Sequence, residues 1–441
     1  MNSRVVNLFA HLPSLSPKKY SLTMAVLFFF GLSLAGFAQL TTRSATSQAF
    51  TIAPNVETPV VIQTMPDAEC DLRSEGINDN KLRLYANVEG YVRFHVNARQ
   101  ESEDGQDFQL DCQAGGQVTR FPLHLRASPS PRADMPAPLA EMPVPKGARI
   151  LPGLTEAAAQ QLSDHDLIAQ GYMPRPDPET APQAYATWLH HVSQPITLLP
   201  AHSVSRTDLS AKSYSYPTWS GLEAHNTKTR QYDAVQGEWL VPDLDQGESN
   251  TTTYSSTWVG LDGDGPKDLV QAGTEQNYTE WLFFQATSYS TWTELLPNQA
   301  TAQGTSLSIN PSDDIEVAVW IGDPSGKMDI KGNTAWFSFA DHTSGQGTTV
   351  HTPLSGTYFV GSDAEWIMER PTIPGQGPAD LSDYVYLAMN NAYAVGVGGW
   401  HKCGRAANRL INMVNGTDWL SEANWYGQSS DYLSVTWINY H

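Results

Sequence analysis

Residues 363–371 read Asp-Ala-Glu-Trp-Ile-Met-Glu-Arg-Pro, an apolar strand that carries an acid, Glu369, near its end. Side chains along a strand point alternately to its two faces, so Glu365, Ile367 and Glu369 share one face. Glu365 and Glu369 lie about 13 Å apart along such a strand, which is too far for a direct pair. Glu369 therefore needs a chemical partner from another strand.

Two earlier segments offer such a partner. Residues 257–263 read Thr-Trp-Val-Gly-Leu-Asp-Gly, a strand that begins with a tryptophan, and residues 269–273 read Leu-Val-Gln-Ala-Gly, a short return strand with a side-chain amide at Gln271. A carboxylate and a carboxamide on one surface can activate water and hold an oxyanion. That combination is sufficient to hydrolyse an amide bond in acid.

The chain around these segments is typical of a large β-structure. Residues 315–321, 334–339 and 433–438 alternate between apolar and polar side chains, and turn residues separate them. We therefore predict a mostly β protein in which residues 206–441 form a two-sheet antiparallel β-sandwich of jelly-roll, concanavalin-like type.

The N-terminal part shows the same alternation on a smaller scale. Short strands, among them residues 58–62 and 91–96, predict a small β-domain over residues 39–127. Cys70 and Cys112 both lie in this part, and an exported chain would join them in a disulfide.

A connector over residues 128–205 separates the two β-regions. It begins with a Pro-rich linker and continues with helical patterns, for one of which Ser163 is a candidate N-cap. Its position before the sandwich resembles that of a propeptide, and a structural arm between domains is an equal alternative.

Residues 1–38 have the features of a secretory signal peptide. Arg4, Lys18 and Lys19 precede an apolar run from Leu22, and small residues end at Ala38. The run is short for a membrane anchor, so we expect cleavage and export to the extracellular space. The net charge of −20 argues against binding to nucleic acid, which needs a basic face.

Other catalytic centres find no support in the sequence. The motifs of pepsin-like, serine-hydrolase, zinc-peptidase and phosphate-binding proteins are absent. Cys403 lies near His401, but an unpaired or intermolecular cysteine explains it more simply than a thiol nucleophile. The Asp-Gly-Asp-Gly run at residues 262–265 lacks the ligand spacing of a calcium loop. We therefore expect no metal and no cofactor.

Six motifs in order make the chain from residue 214 onward resemble the glutamic peptidase family, the eqolisins. They are Trp-Ser-Gly at 219–221, the segment 232–242, Trp-Val-Gly-Leu-Asp-Gly at 258–263, Leu-Val-Gln-Ala-Gly at 269–273, Tyr-Ser-Thr-Trp-Thr-Glu-Leu-Leu-Pro at 289–297 and Ala-Glu-Trp-Ile-Met-Glu-Arg-Pro at 364–371.

The resemblance implies an acid endopeptidase with a concave groove for an extended polypeptide, acting most simply as a monomer. By motif position, Glu369 and Gln271 are its catalytic residues, Glu369 as the general base and acid on water and Gln271 as the donor to the oxyanion. The positions that line the substrate groove are Trp219, Trp258, Asp262 and Glu294. Ser290 departs from the fungal members, which usually have an Asp there.

Two alternatives remain open at this stage. Asp262, Glu294 and Glu369 include carboxylates that a secreted β-sandwich glycoside hydrolase would need as a pair. A sandwich rich in aromatic residues also suits a carbohydrate-binding protein without catalysis. Neither alternative explains the six ordered motifs.

Overall fold

A computed structural model describes residues 41–45, 47–75, 80–129, 141–205, 217–225, 232–245, 251–264, 268–299, 301–354, 359–373 and 375–441. The expected signal peptide lies outside these residues, as does much of the Pro-rich linker. Residues Leu40–His441 form one compact unit. The division of this unit at residues 127 and 205 stays a prediction.

The strands of the N-terminal part are, in chain order, β1 (Thr41–Ser44), β2 (Gln48–Ile52), β3 (Thr58–Gln63), β4 (Glu69–Ser74), β5 (Lys81–Tyr85), β6 (Tyr91–Ala98), β7 (Ser102–Ala114) and β8 (Gln117–Ala127). The connector contains β9 (Arg149–Leu151), α1 (Glu156–Gln161), α2 (Asp164–Gln170), α3 (Pro182–Val192), β10 (Ile196–Leu198) and β11 (Ser203–Ser205).

The C-terminal part contains β12 (Trp219–His225), β13 (Tyr232–Leu240), β14 (Thr252–Asp262), β15 (Leu269–Trp281), β16 (Phe284–Leu296), β17 (Gln303–Thr305), β18 (Asp314–Gly322), β19 (Thr334–Asp341), β20 (Gln346–Pro353), β21 (Asp363–Glu369), β22 (Thr372–Ile373), β23 (Gly377–Pro378), β24 (Tyr386–Gly396), β25 (Gly399–Lys402), α4 (Cys403–Ala406), β26 (Arg409–Ile411), β27 (Met413–Asn415), β28 (Asp418–Trp425) and β29 (Leu433–Trp437).

Two large sheets pack face to face. The front sheet has the strand order β11-β17-β16-β15-β14-β21-β12-β26, and the back sheet has the order β27-β28-β29-β24-β13-β18-β19-β20-β10-β9. Their facing sides share one apolar core that includes Val259 and Trp366 from the front sheet and Trp239 and Val317 from the back sheet. The predicted fold class, a mostly β protein with an antiparallel two-sheet sandwich, is confirmed.

The N-terminal β-region is joined to the front sheet. β6 pairs with β16, in the register Ala286↔Val96, and β3 pairs with β6. The other N-terminal strands form a separate sheet in the order β1-β8-β7-β4-β5, with β2 also on β8. Cys70 and Cys112 lie opposite each other on β4 and β7 and form a disulfide.

The helices of the connector pack on the back sheet. Ser163 caps α2 by accepting a hydrogen bond from the Asp166 amide, which satisfies a free N–H of the first turn. Trp188 of α3 and Ile168 of α2 share an apolar cluster with Trp320 and Trp336 of the back sheet. The helical connector therefore lies on the outward side of the back sheet, which we call the back face. Within the described residues, no helix combines the length and apolar character needed to cross a membrane.

Candidate active site

The front sheet has an outward side that faces away from the core, and we call it the front face. In β21, Trp366 and Met368 enter the core, so Ile367 and Glu369 point to the front face. The indole of Trp366 donates to the carbonyl of Gln236 in the back sheet at 2.8 Å, which fixes β21 against the core. The structure thus shows the predicted alternation of side chains between the two faces of β21.

Glu369 lies in a row of side chains that crosses the front face. Across β21 its neighbours are Trp219 on β12 and Ser256 on β14. The same row continues to Glu275 on β15 and to Ser290 on β16. The Ser290 position, where fungal members usually have Asp, therefore lies at the end of the row that holds the expected catalytic acid.

An indole group holds the carboxyl group of Glu369. Trp258 Nε1 donates a hydrogen bond to Glu369 Oε2 at 2.8 Å. Glu369 is 3% exposed. Burial raises the pKa of Glu369 to about 7, although the hydrogen bond from Trp258 acts in the opposite direction by favouring the carboxylate. A carboxyl group with this pKa exchanges its proton readily near neutral pH.

Gln271 lies on the same face, in the strand beyond Trp258. It pairs with Gly260 on one side and with Glu294 on the other. Gln271 Nε2 donates to Glu294 Oε2 at 2.7 Å, so Glu294 fixes the orientation of the amide. Gln271 Oε1 is buried and has no hydrogen-bond partner among the described residues.

The pairing register sets the relation between Gln271 and Glu369. Gln271 lies in the row of Gly260 and Glu365, four positions along β21 from Glu369 and two strands away. In a flat sheet the two Cα atoms would be about 16 Å apart. For the two side chains to act together, a water molecule and a substrate carbonyl group would have to lie between them.

Trp258 lies between the two residues, and glycines give it room. A Cβ on Gly260 would lie 2.8 Å from Trp258 Cζ3, and a Cβ on Gly273 would lie 2.6 Å from Trp258 Cβ. Trp219 meets Trp258 edge to face, with ring centroids 5.1 Å apart. These residues form an apolar cluster on the front face together with Trp292 and Ile367.

Asp262, at the end of β14, is fully engaged with a loop. Its carboxylate accepts hydrogen bonds from the backbone amides of Val360, Gly361 and Ser362 at 2.8, 3.0 and 2.6 Å. The hydroxyl of Ser362 donates a further bond at 3.0 Å. Asp262 therefore holds the loop that leads into β21, and both of its carboxylate oxygens are engaged there.

The sequence prediction omitted a second buried acid on this face. Glu365 shares its row with Gln271, and its neighbours across β21 are Glu223 and Gly260. Burial and the nearby charges of Asp363, Glu223 and Asp262 raise the pKa of Glu365 well above its usual range. The period-two pattern already put Glu365 on the face of Glu369, but only the register reveals the acids on the neighbouring strands.

Three groups of side chains bring potential metal ligands within 4.8 Å of one another in the described part of the chain. They are His191, Glu316 and His342; Glu223, His225 and Asp264; and Glu223, Asp363 and Glu365. None of these groups includes Glu369 or Gln271. A carboxyl group and a carboxamide can transfer protons and donate hydrogen bonds.

The sequence profile of the Peptidase A4 family matches residues 217–437. No curated protein sequence matches the chain.

Three solved structures illustrate the structural matches. A complex of scytalido-glutamic peptidase with a peptide-based transition-state analogue has 16% identity and a TM-score of 0.40, over 50% of this chain and 98% of the other. SCP-B, a member of the eqolisin family bound to the tripeptide Ala-Ile-His, has 16% identity and a TM-score of 0.39, over 50% and 98%. Aspergilloglutamic peptidase from Aspergillus niger has 23% identity and a TM-score of 0.35, over 42% and 99%.

Proposed function

The chain belongs to the Peptidase A4 family, and we propose that it is a secreted acid endopeptidase of the glutamic type, with Glu369 and Gln271 as its catalytic residues. One observation carries this proposal. The buried carboxyl group of Glu369 is held by the Trp258 indole on the same sheet face as Gln271, whose amide is oriented by Glu294.

The first step of the proposed reaction is attack of water on the scissile carbonyl carbon. Glu369 takes a proton from the water as its oxygen bonds to that carbon. The protonated Glu369 then gives the proton to the leaving nitrogen as the C–N bond breaks. The carboxyl group is thus restored in the state in which it started.

Gln271 stabilises the oxyanion that forms in this step. Because Glu294 accepts one hydrogen of the Gln271 amide, the other hydrogen remains available to the carbonyl oxygen of the substrate. Loss of one such donor typically costs about 3–4 kcal/mol of transition-state stabilisation. Glu294 acts through Gln271 and is therefore a positioning residue in this scheme.

Activity in acid requires that Glu369 ionise more easily in the working enzyme than in the buried state. With a pKa of about 7, the buried carboxyl group is mostly protonated below neutral pH. Hydrogen bonds to the carboxylate, such as the one from Trp258, lower this pKa and so favour the ionised base at lower pH.

The other predicted site residues have supporting roles in this proposal. Trp219 and Trp258 belong to the apolar lining of the proposed peptide site; both are buried in the described structure, at 3% and 0% exposed, and Trp258 also binds Glu369. Asp262 acts indirectly, because its bonds to residues 360–362 hold the loop that precedes the catalytic strand.

The proposal includes the expected processing and domain organisation. Residues 1–38 direct export and are removed, residues 39–127 form the β-domain with the disulfide, and residues 128–205 form the linker and the propeptide-like arm. The sandwich of residues 206–441 then acts on polypeptides as a monomer, without a cofactor. Binding of carbohydrate is the less favoured alternative, since Asp262 is already engaged with its loop and Glu294 with Gln271.

The test is hydrolysis of denatured casein or haemoglobin between pH 2 and pH 7. We expect activity with an acid optimum that Glu369→Gln and Gln271→Ala each reduce by about 10²-fold or more. Gln276→Ala is a matched control, because Gln276 is buried on the same strand but bonds to Thr274. Full activity of Glu369→Gln would refute the proposal, and release of reducing sugars without proteolysis would favour the glycoside hydrolase.

A further inference from the structure

A second group of carboxylates is buried beside the candidate active site. It consists of Glu223 on β12 and of Asp363 and Glu365 on β21. One oxygen from each of these residues lies within 4.8 Å of the oxygens of the other two. All three residues are at most 1% exposed. Buried carboxylates at this spacing repel one another strongly unless protons or cations lie between them.

Glu365 is the member of this group without a partner. Neither oxygen of Glu365 has a hydrogen-bond partner within the described residues. The carboxyl group also occupies space that two glycines leave open. A Cβ on Gly260 would lie 3.1 Å from Glu365 Oε2, and a Cβ on Gly263 would lie 3.2 Å from Glu365 Oε1. Burying a carboxyl group without a hydrogen-bond partner reduces the stability of the folded chain unless a ligand binds that group.

The basic side chains near this group contact Glu223 and Asp363. Arg409 Nη1 lies 3.2 and 3.3 Å from the two oxygens of Glu223, and it also contacts Asp264. His225 Nδ1 lies 3.1 Å from Glu223 Oε1 and 2.5 Å from Asp363 Oδ1. Among the described residues, Glu365 has no ion pair, so ionisation of this residue would leave a negative charge that no basic side chain offsets.

We propose that Glu223, Asp363 and Glu365 bind a divalent cation of the calcium type. Calcium prefers carboxylate oxygens at 2.3–2.6 Å, so two oxygens that bind one ion lie up to about 5 Å apart. The spacing in this group falls within that limit. Three carboxylates favour a hard cation over zinc, which usually binds nitrogen and sulfur ligands.

The cation would join two neighbouring strands of the front sheet. Glu223 and Glu365 are directly paired between β12 and β21, and Glu365 is four residues before Glu369 in β21. An ion at this position ties the catalytic strand to β12 and neutralises the repulsion between them. This site is separate from the proposed peptidase chemistry, because none of its ligands is a proposed catalytic residue.

The test measures calcium binding directly, by isothermal titration calorimetry on the full chain at pH 7. We expect binding at one site in the wild type and at least a tenfold weaker affinity in Glu365→Gln, which keeps the shape and removes the charge. Thermal unfolding gives a second readout. At a calcium concentration one hundred times Kd, the Tm of this 441-residue chain should rise by roughly 3 °C relative to EDTA at equal ionic strength.

Two further variants make the result decisive. Asp363→Asn should weaken binding as Glu365→Gln does, and it replaces that variant if Glu365→Gln fails to fold. Glu280→Gln changes another buried acid of the front sheet, one that pairs with Arg99, and should keep the calcium affinity. The proposal is overturned if the wild type binds no calcium, or if both ligand variants bind it as the wild type does. Neither result depends on whether the chain cleaves peptides.

Discussion

Two buried glutamates on opposite faces of the sandwich have pKa values that are shifted in opposite directions. Glu369 of β21 lies on the front face, and burial raises its pKa to about 7. Glu316 of β18 lies on the back face under helix α3. Burial alone would raise its pKa too, but hydrogen bonds from His191 and His342 lower it to about 2.

The difference comes from the hydrogen-bond donors and not from the depth of burial. Glu369 accepts from the neutral indole of Trp258, which can carry no positive charge. Glu316 Oε2 lies 3.2 Å from His191 Nδ1 and 3.1 Å from His342 Nε2, and both imidazoles can be charged. A carboxyl group among neutral donors keeps a proton that it can exchange, whereas one between imidazoles is a permanent anion. The first arrangement suits proton transfer and the second suits the attachment of α3.

The largest effect that follows from this contrast is on stability. Glu316→Gln removes the anion between two histidines, and breaking such a buried pair typically costs about 3–5 kcal/mol. We expect a loss of that size in the free energy of unfolding, measured by urea denaturation at pH 5.5. Peptidase activity of the folded variant should remain near that of the wild type.

Glu369→Gln is the matched control for this experiment. Because the pKa of Glu369 is about 7 in the folded chain, folding disfavours the ionised form of this group. The free energy of unfolding therefore falls as pH rises from about 4.5 to about 7. Glu369→Gln should therefore be neutral or stabilising at pH 7 while it removes activity. A loss below about 1 kcal/mol in Glu316→Gln would show that the histidines do not hold a permanent anion.

A smaller effect should follow from removing the indole donor of Glu369. Trp258→Phe keeps most of the apolar surface but loses the hydrogen bond that favours the carboxylate. A hydrogen bond to a charged group contributes about 1.5–3 kcal/mol, so the acidic limb of the kcat/KM pH profile should move up by about 1–2 pH units.

Trp239→Phe is the control for that shift. Trp239 is a buried tryptophan whose indole donates to Thr274 Oγ1 at 3.1 Å, in the core and away from Glu369. Its replacement should lower stability without moving the pH profile. An unchanged profile in Trp258→Phe would mean that the Trp258 hydrogen bond does not set the acidity of the catalytic group.

The sequence predicted which side chains lie on the front face better than it predicted the contacts of the back face, and the reason is physical. Strand alternation depends only on neighbouring residues, so it placed Glu365 and Glu369 on one face before any partner strand was known. The pairing of Gln271 with Glu294 depends on the register between β15 and β16, which a single sequence does not contain. The resemblance in six motifs indicated Gln271 and Glu294 as site residues, but it did not indicate the hydrogen bond between them.

The contacts of the back face join segments that lie far apart in the chain. His191 meets Glu316 across 125 residues, and no local pattern indicates that pairing. The sequence indicated helical patterns in the connector, one of them with Ser163 as N-cap, but not the surface on which the helices pack. The same limitation applies to Glu223 and Glu365, since β12 and β21 are paired in space only.

The smallest predicted effect is the pH dependence of the contact between α3 and the back sheet. Burial alone would lower the pKa of His191, but the hydrogen bond and charge of Glu316 raise it. The stability that His191 adds is therefore fully present below about pH 6.5 and is lost as pH rises through its raised pKa. The contribution of Glu316 is present above about pH 4.5 and is lost as pH falls towards 2. Their joint contribution should be greatest between these limits.

His191→Asn tests this window. His342 also contacts Glu316, so Glu316 keeps one imidazole partner in this variant. The free energy of unfolding should therefore fall by only about 1–2 kcal/mol at pH 5.5. Glu238 and Asp314 are the other charged groups near His191. The loss should shrink towards pH 8.5, because the imidazole of the wild type loses its proton as pH rises through its raised pKa. His190→Asn, a change at the exposed neighbour in α3, should have little effect at either pH. An equal loss for His191→Asn at pH 5.5 and pH 8.5 would mean that packing, and not charge, attaches α3 to the back face.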